Sequence, residues 1–141
     1  MNGAWIVAVA GLLVAAQDAK KDTDKLQGTW VVQSLERGGQ ADPNSKGDTL
    51  TIQGDKFTVK MKNGEMKGTI KFDPDKTPKQ LQFMVTEGQG QAGTSLGIYA
   101  LEGDELKLCL GQIGGTERPK ALASKEGENH LFIVLKRGKQ P

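Results

Sequence analysis

The sequence predicts an all-β fold, an up-and-down antiparallel barrel of eight strands, and three observations carry this prediction. Apolar and polar residues alternate with a period of two through most of the chain, as they do in strands with one buried face. Gly, Pro, Asn and Asp recur every 8–12 residues or so, about the spacing of short strands joined by turns. The chain holds 19 glycines and no long stretch of helical period, which favours a meander over an α/β arrangement.

Residues 1–16 predict a signal peptide. Residues 4–16 are apolar and uncharged, a run that is too short for a membrane span of roughly 20 residues. Residues 14–16 supply the small side chains that a signal peptidase needs. Residues 1–3 lack Lys and Arg, so a buried strand or helix is the alternative. We expect cleavage after Ala16, export to the periplasm or the exterior, and no transmembrane segment in the mature protein.

A polar segment, residues 17–23, precedes the barrel domain, which we assign to residues 24–138. Thr23 or Asp24 is expected to cap a short helical turn before the first strand. The predicted strands cover residues 29–37, 48–53, 56–62, 65–73, 80–86, 95–102, 105–110 and 130–137. The net charge of +2 gives no reason to expect specific nucleic-acid binding. We expect a monomer.

A hairpin is predicted at Asn63-Gly64, because this dipeptide separates two alternating runs. A two-residue loop there predicts three cross-strand pairs on the inner face: Met61 with Met66, Val59 with Gly68, and Phe57 with Ile70. The register and the hydrophobic pattern agree, which supports the hairpin.

The same hairpin carries lysines on its outer face: Lys56, Lys60, Lys62, Lys67 and Lys71. The predicted register sets Lys60 opposite Lys67, Lys56 opposite Lys71, and Lys62 opposite Glu65. Like charges directly across a ladder destabilise it. These lysines have two interpretations. They form either a basic ribbon for an anionic partner, such as a surface polymer or an acidic protein, or a solubilising face that discourages edge pairing.

Large apolar residues are expected to line the barrel interior: Phe57, Val59, Met61, Met66, Ile70, Phe72, Leu81, Phe83, Val85, Ile98, Leu106, Leu108, Ile133 and Leu135. An interior ligand would contact Phe57, Met61, Met66, Phe72 and Phe83. Barrels of eight strands are filled by their own side chains or hold one small ligand. Because the strands are short, we expect a mostly filled core with a shallow pocket at the rim near residues 88–93.

Several stretches serve as landmarks: Leu26-Gln27-Gly28-Thr29-Trp30, Gly47-Asp48-Thr49-Leu50-Thr51-Ile52, Phe72-Asp73-Pro74, Thr77-Pro78-Lys79, Gly97-Ile98-Tyr99, Gly103-Asp104-Glu105-Leu106-Lys107-Leu108-Cys109, Arg118-Pro119 and Leu135-Lys136-Arg137. In this order they resemble a lipocalin-like domain family found mainly in planctomycete bacteria. Its members are typically small exported proteins with no assigned activity. The resemblance covers about residues 24–138.

The resemblance implies that Arg137 stacks across Trp30 and closes one end of the barrel. A guanidinium over an indole face gains a cation–π interaction. Arg137 shares its parity with the apolar positions of the last strand, so it is expected to point inward and to be buried. A ligand contact at the barrel floor is the alternative role for this barrel-closing pair.

No catalytic, metal or cofactor pattern is found. Asp73, Asp75 and Thr77 have the spacing of a calcium loop, but Pro78 and Met84 occupy the positions that need Gly and Glu. Cys109 is the single cysteine, expected to be a half-buried inert thiol that faces away from its leucine neighbours. A lysine beside it could lower its pKa instead. The single histidine, His130, is expected at the surface.

Two functions are favoured by these features, and an enzyme is a third, less favoured alternative because the chain has one histidine and no paired inward carboxylates. The first is an exported, non-enzymatic barrel that binds a small apolar ligand. The second is an envelope interaction or inhibitor module that uses its rim loops or the lysine-rich hairpin face. A barrel with an interior cavity favours the first function, and a filled barrel favours the second.

Overall fold

The computed structural model describes residues 22–88 and 92–138. The predicted signal peptide, residues 1–16, lies outside the described residues. So do residues 17–21 of the polar segment and residues 89–91, which belong to the segment near which the rim pocket was predicted. A helical turn covers residues 22–25. Thr23 and Asp24 were expected to precede this turn and cap it. They lie within it instead, because the turn already includes Asp22.

Nine strands follow the helical turn: β1 (Gly28–Arg37), β2 (Gln40–Ala41), β3 (Thr49–Gln53), β4 (Lys56–Met61), β5 (Gly64–Asp73), β6 (Lys79–Gly88), β7 (Gly93–Glu102), β8 (Glu105–Leu110) and β9 (Leu131–Arg137). A 3-10 helix, Pro43–Ser45, lies between β2 and β3.

The strands close into a barrel. Each strand from β3 to β8 pairs antiparallel with the next one in the chain, β1 pairs with β3, and β9 returns to pair with β1. The predicted up-and-down barrel of eight strands is therefore confirmed. The two-residue β2 adds to one end of β1 and, like the 3-10 helix, was not predicted. Among the described residues, no helix has the length and apolar character needed to cross a membrane.

The register of the β4–β5 hairpin differs from the prediction by two residues. Met61 pairs with Gly64 around a turn at residues 62–63, and Val59 pairs with Met66. A slide of two residues keeps every side chain on its predicted face. It also replaces both Lys–Lys pairs, because Lys60 now faces Glu65 across the ladder and Lys56 faces Thr69. Opposite charges across a ladder stabilise it, whereas like charges destabilise it.

The slide also places Gly68 opposite Phe57, at a bulge between β5 and β6. A Cβ atom on Gly68 would lie 1.8 Å from the carbonyl oxygen of Met84 and 2.9 Å from the Phe57 ring. Only glycine fits between these two groups. The close approach of β6 therefore explains the glycine that the sequence places on the inner face.

Buried side chains form one continuous cluster that fills the interior: Leu26, Trp30, Val32, Leu50, Ile52, Phe57, Ile70, Leu81, Phe83, Val85, Tyr99, Leu106, Leu108, Ile133 and Leu135. Ile98 was predicted to belong to it, and this is wrong. Tyr99 pairs with Leu108 on the inner face, so Ile98 points outward together with Cys109. Both outward side chains are nevertheless buried.

Residues 111–130, here called the long loop, connect β8 to β9 and cover part of the outer surface. The Cys109 thiol donates to the Ala123 carbonyl at 3.4 Å. The Ser124 hydroxyl accepts from the Gly39 amide at 2.7 Å, which fastens the long loop to the β1–β2 turn. The loop therefore explains how outward positions on β7 and β8 come to be buried.

Candidate functional site

The floor of the barrel, where β1 begins and β9 ends, is closed by Trp30 and Arg137. The Trp30 side chain is fully buried, and its Nε1 donates to the Leu26 carbonyl at 3.0 Å. The guanidinium carbon of Arg137 lies 4.3 Å from the centroid of the Trp30 ring. The contact that the resemblance implies is therefore present.

Arg137 also holds the helical turn against the floor. Its guanidinium donates to the carbonyls of Gln27, at 3.0 Å, and Lys25, and pairs with the carboxylate of Asp104 at 3.3 Å. About a third of its side chain, 32%, stays exposed. The expectation of a buried arginine is thus wrong, because Arg137 is the last residue of β9 and solvent reaches its side chain at the end of the strand.

Two hydrogen bonds to Asp22 also connect the helical turn to the floor. The Asp22 carboxylate accepts a hydrogen bond from the Lys79 ammonium at 2.7 Å and another from the Tyr99 hydroxyl at 3.0 Å. Burial raises the pKa of Tyr99, and the negative charge of Asp22 raises it further. The tyrosine therefore stays protonated and donates to Asp22 across the ordinary pH range.

Aromatic contacts fill the interior where a ligand was predicted. The rings of Phe57 and Phe83 meet edge to face, with centroids 4.8 Å apart. Phe72 meets Tyr99 in the same way at 5.5 Å. Met66 is partly buried and packs against the core, whereas Met61 is half-buried at the end of β4. Of the five predicted ligand contacts, Phe57 and Phe83 are buried core, and the other three are partly buried.

The predicted lysine face lies on the outside of β4 and β5. Its lysines are exposed: Lys56, Lys60, Lys62, Lys67 and Lys71. Lys62 belongs to the hairpin turn rather than to a strand. Glu65 forms an ion pair with Lys67 at 3.4 Å and faces Lys60 across the ladder, so the expected pairing of Glu65 with Lys62 is wrong.

A shallow groove continues this face onto β6. It consists of two adjoining depressions, of about 130 and 260 Å³, that share Lys71 and Gln82. The smaller depression is also lined by Asp73, Gln80, Leu81 and Arg118. The larger one is also lined by Asp55, Thr69, Ile70 and Met84. We call these two depressions together the β5–β6 groove.

Arg118, from the long loop, forms one wall of this groove. Its Nη1 donates to the backbone carbonyls of Leu81, at 2.6 Å, and Gly97. No carboxylate within residues 22–88 and 92–138 forms an ion pair with this guanidinium. In the sequence, Arg118-Pro119 was identified only as part of the family resemblance. Its position at the groove was not predicted, because no local pattern shows which distant carbonyls an arginine contacts.

Cys109 contacts the long loop from the barrel wall, and His130 is the last residue of that loop. Cys109 is fully buried rather than half-buried, because the long loop covers it. Burial is the main cause of its raised pKa. His130 is half-buried, and its Nδ1 lies 2.9 Å from the Glu128 carboxylate. It lines a depression of about 300 Å³ whose charged residues have both signs, Glu117 and Lys125 among them.

Neither the family models nor the curated proteins nor the solved structures compared with this chain give a match.

Proposed function

We propose that this chain is an exported, non-enzymatic binding module that recognises an acidic partner through the outer face of β4, β5 and β6. One observation carries the proposal. The barrel interior is filled and its floor is closed, whereas the outer face combines unpaired lysines with an anchored arginine at a groove. We also propose that the chain is related to the lipocalin-like exported domains that its sequence resembles.

The filled interior argues against a carrier of apolar molecules. A ligand inside the barrel would have to displace core side chains such as Phe57 and Phe83, which contact each other edge to face. Exposing one large apolar side chain costs roughly 1.5–3 kcal/mol. Ligand pockets usually measure about 300–1,000 Å³, and space of this size inside the barrel requires several such displacements.

The charge on the outer face supports an acidic partner. Lys56 and Lys71 form no ion pair with a carboxylate in the described part of the chain, and Lys60 has only a cross-strand neighbour, Glu65. Single surface charges contribute little, but several charges of one sign on one face attract an oppositely charged partner together. The attraction is weakened by salt, because these side chains are exposed.

The non-enzymatic part of the proposal is supported by the positions of the perturbed groups. The pKa values of Tyr99, Cys109 and Asp48 are raised mainly by burial. Tyr99 lies at the floor, Cys109 lies under the long loop, and Asp48 lies near the rim. Groups that cooperate in catalysis have to converge on one substrate. A raised pKa also makes Cys109 a poorer nucleophile.

Electrophoresis through gels that contain an acidic polymer tests this function. We expect poly-L-glutamate, hyaluronate or both to retard the protein, and dextran to have no effect. A variant with Lys56→Gln, Lys60→Gln and Lys67→Gln should lose this retardation. The control removes equal charge elsewhere, with Lys107→Gln, Lys120→Gln and Lys136→Gln, and should keep it. No retardation by either polymer, or equal loss in both variants, would contradict the proposal.

A further inference from the structure

We propose that the β5–β6 groove binds a linear polysaccharide in which acidic sugars alternate with neutral ones. This inference rests on the proposed function and names the partner. An acidic sugar would place its carboxylate between Lys71 and Arg118, and neutral sugars would lie on either side of it along the groove.

The shape of the groove fits an extended chain. Its outward side chains come from three successive cross-strand positions, Asp73 with Gln80, Lys71 with Gln82, and Thr69 with Met84. Two residues along a strand span about 7 Å, so the three positions extend over about 14 Å. The two depressions are shallow and adjoin at Lys71 and Gln82. A long, shallow trough contacts a chain along its length, whereas a compact small molecule needs an enclosing pocket.

The cationic centre of the groove is prepared for a carboxylate. Two backbone carbonyls fix Nη1 of Arg118. The other guanidinium nitrogens, Nε and Nη2, have no hydrogen-bond acceptor among the described residues. A guanidinium held in place loses little conformational entropy when it binds an anion, and its planar donors suit a carboxylate. Lys71 lines the same depression and adds a second positive charge.

Acidic residues limit where further negative charge can lie. Asp73 lines the smaller depression, and Asp55 lines the larger one. A chain with a carboxylate on every unit would place negative charge next to both aspartates, which like-charge repulsion disfavours. A chain with spaced acidic units avoids that repulsion. The charge pattern therefore favours an alternating polysaccharide over an acidic polypeptide.

The neutral positions of the groove suit sugars. The side chains of Gln80, Gln82 and Thr69 have no hydrogen-bond partner within the described part of the chain. Amide and hydroxyl groups donate and accept hydrogen bonds, as sugar hydroxyls do. Met84, at 41% exposed, is the large apolar side chain that the described residues leave in solvent. A thioether side chain packs against an apolar face, such as the C–H face of a sugar ring.

Binding of hyaluronate, an alternating polymer of glucuronate and N-acetylglucosamine, tests the inference by calorimetry at fixed salt. We expect Lys71→Gln to weaken the affinity about tenfold, equivalent to about 1.4 kcal/mol. The uncharged change Gln82→Ala combined with Met84→Ala should weaken it severalfold. Lys136→Gln, which removes one charge from β9, should have little effect. Thermal unfolding of each variant separates loss of binding from loss of folding.

The outcomes separate this inference from the proposed function. If the groove variants bind hyaluronate like the unchanged protein while the triple Lys56, Lys60 and Lys67 variant does not, the groove inference is wrong and the proposed function stands. If poly-L-glutamate binds as tightly as hyaluronate per negative charge, the partner is an acidic polypeptide and the inference is wrong. If neither polymer binds the unchanged protein, both proposals fail.

Discussion

The guanidinium of Arg137 lies over the ring of Trp30 at 4.3 Å and thereby joins the last strand to the first. The same arginine donates to the carbonyls of Gln27 and Lys25, so it also holds the helical turn that covers the floor. One residue thus links both ends of the barrel domain.

Trp30→Ala should lower the free energy of unfolding by about 3–5 kcal/mol, because a large buried ring is lost. Arg137→Met should cost less, since that side chain is partly exposed. Chemical denaturation of both single variants and the double variant measures their coupling. A favourable coupling of roughly 0.5–2 kcal/mol is expected for this cation–π contact. Additive effects would mean that the two residues do not act together.

Alkaline pH should destabilise the protein through Tyr99. Its pKa is raised in the folded protein above the usual value of 10.0. The folded state therefore binds the phenolic proton more tightly than the unfolded state does. This contribution to stability is present below pH 10 or so and is lost as the pH rises further.

The variant Tyr99→Phe isolates this effect, because the chain has a single tyrosine. It should lose about 1 kcal/mol at neutral pH with the hydrogen bond to Asp22. Above pH 10 or so, its stability should fall less steeply than that of the unchanged protein. Denaturant titrations from pH 7 to pH 11 give this comparison, as roughly that span covers the tyrosine titration. Parallel pH curves for the two proteins would refute the assignment.

Gly68→Ala should destabilise the barrel by about 3 kcal/mol or more, since its Cβ would overlap the Met84 carbonyl. A Cβ there would lie 1.8 Å from that oxygen. Gly47→Ala is a matched control, because its φ is +94° but no atom lies within 4 Å of its Cβ. The control should lose only about 1–2 kcal/mol from its backbone conformation. Equal costs in thermal unfolding would show that β6 does not approach Gly68 so closely.

Cys109 should react slowly with iodoacetamide in the folded protein, because it is buried and its pKa is raised. Reaction requires the long loop to open. Ser124→Ala removes the hydroxyl that accepts from the Gly39 amide, so it should speed the labelling. Mass spectrometry follows the modification, and urea-unfolded protein gives the upper limit. Rapid labelling of the folded, unchanged protein would contradict the burial of this thiol.

The sequence predicted the faces of the barrel better than the contacts between strands. The alternation of apolar and polar residues shows which side chains share a face, and it correctly predicted that Phe57 and Ile70 point into the barrel. It does not detect a slide of two residues, because such a slide leaves every face unchanged. The register of the hairpin was therefore wrong although its faces were right.

The outer surface was harder to predict because its features depend on distant parts of the chain. Ile98 is apolar and buried, yet it points outward beside Cys109, which the long loop covers. Periodicity cannot distinguish burial by a loop from burial in the core. The position of Arg118 depends on two carbonyls, of Leu81 and Gly97, that belong to neighbouring strands. The lysines of the hairpin were predicted, but the groove beside them was not.

A titration followed by NMR tests most directly whether the protein binds through its outer face. Backbone amide and methyl signals are recorded while hyaluronate oligosaccharides are added to the folded protein. Binding through the outer face predicts shifts at the outward residues Lys71, Gln82 and Met84 and no change at the inward residues Ile52 and Leu108. Shifts confined to the inward residues, with Lys71 and Met84 unchanged, would contradict it.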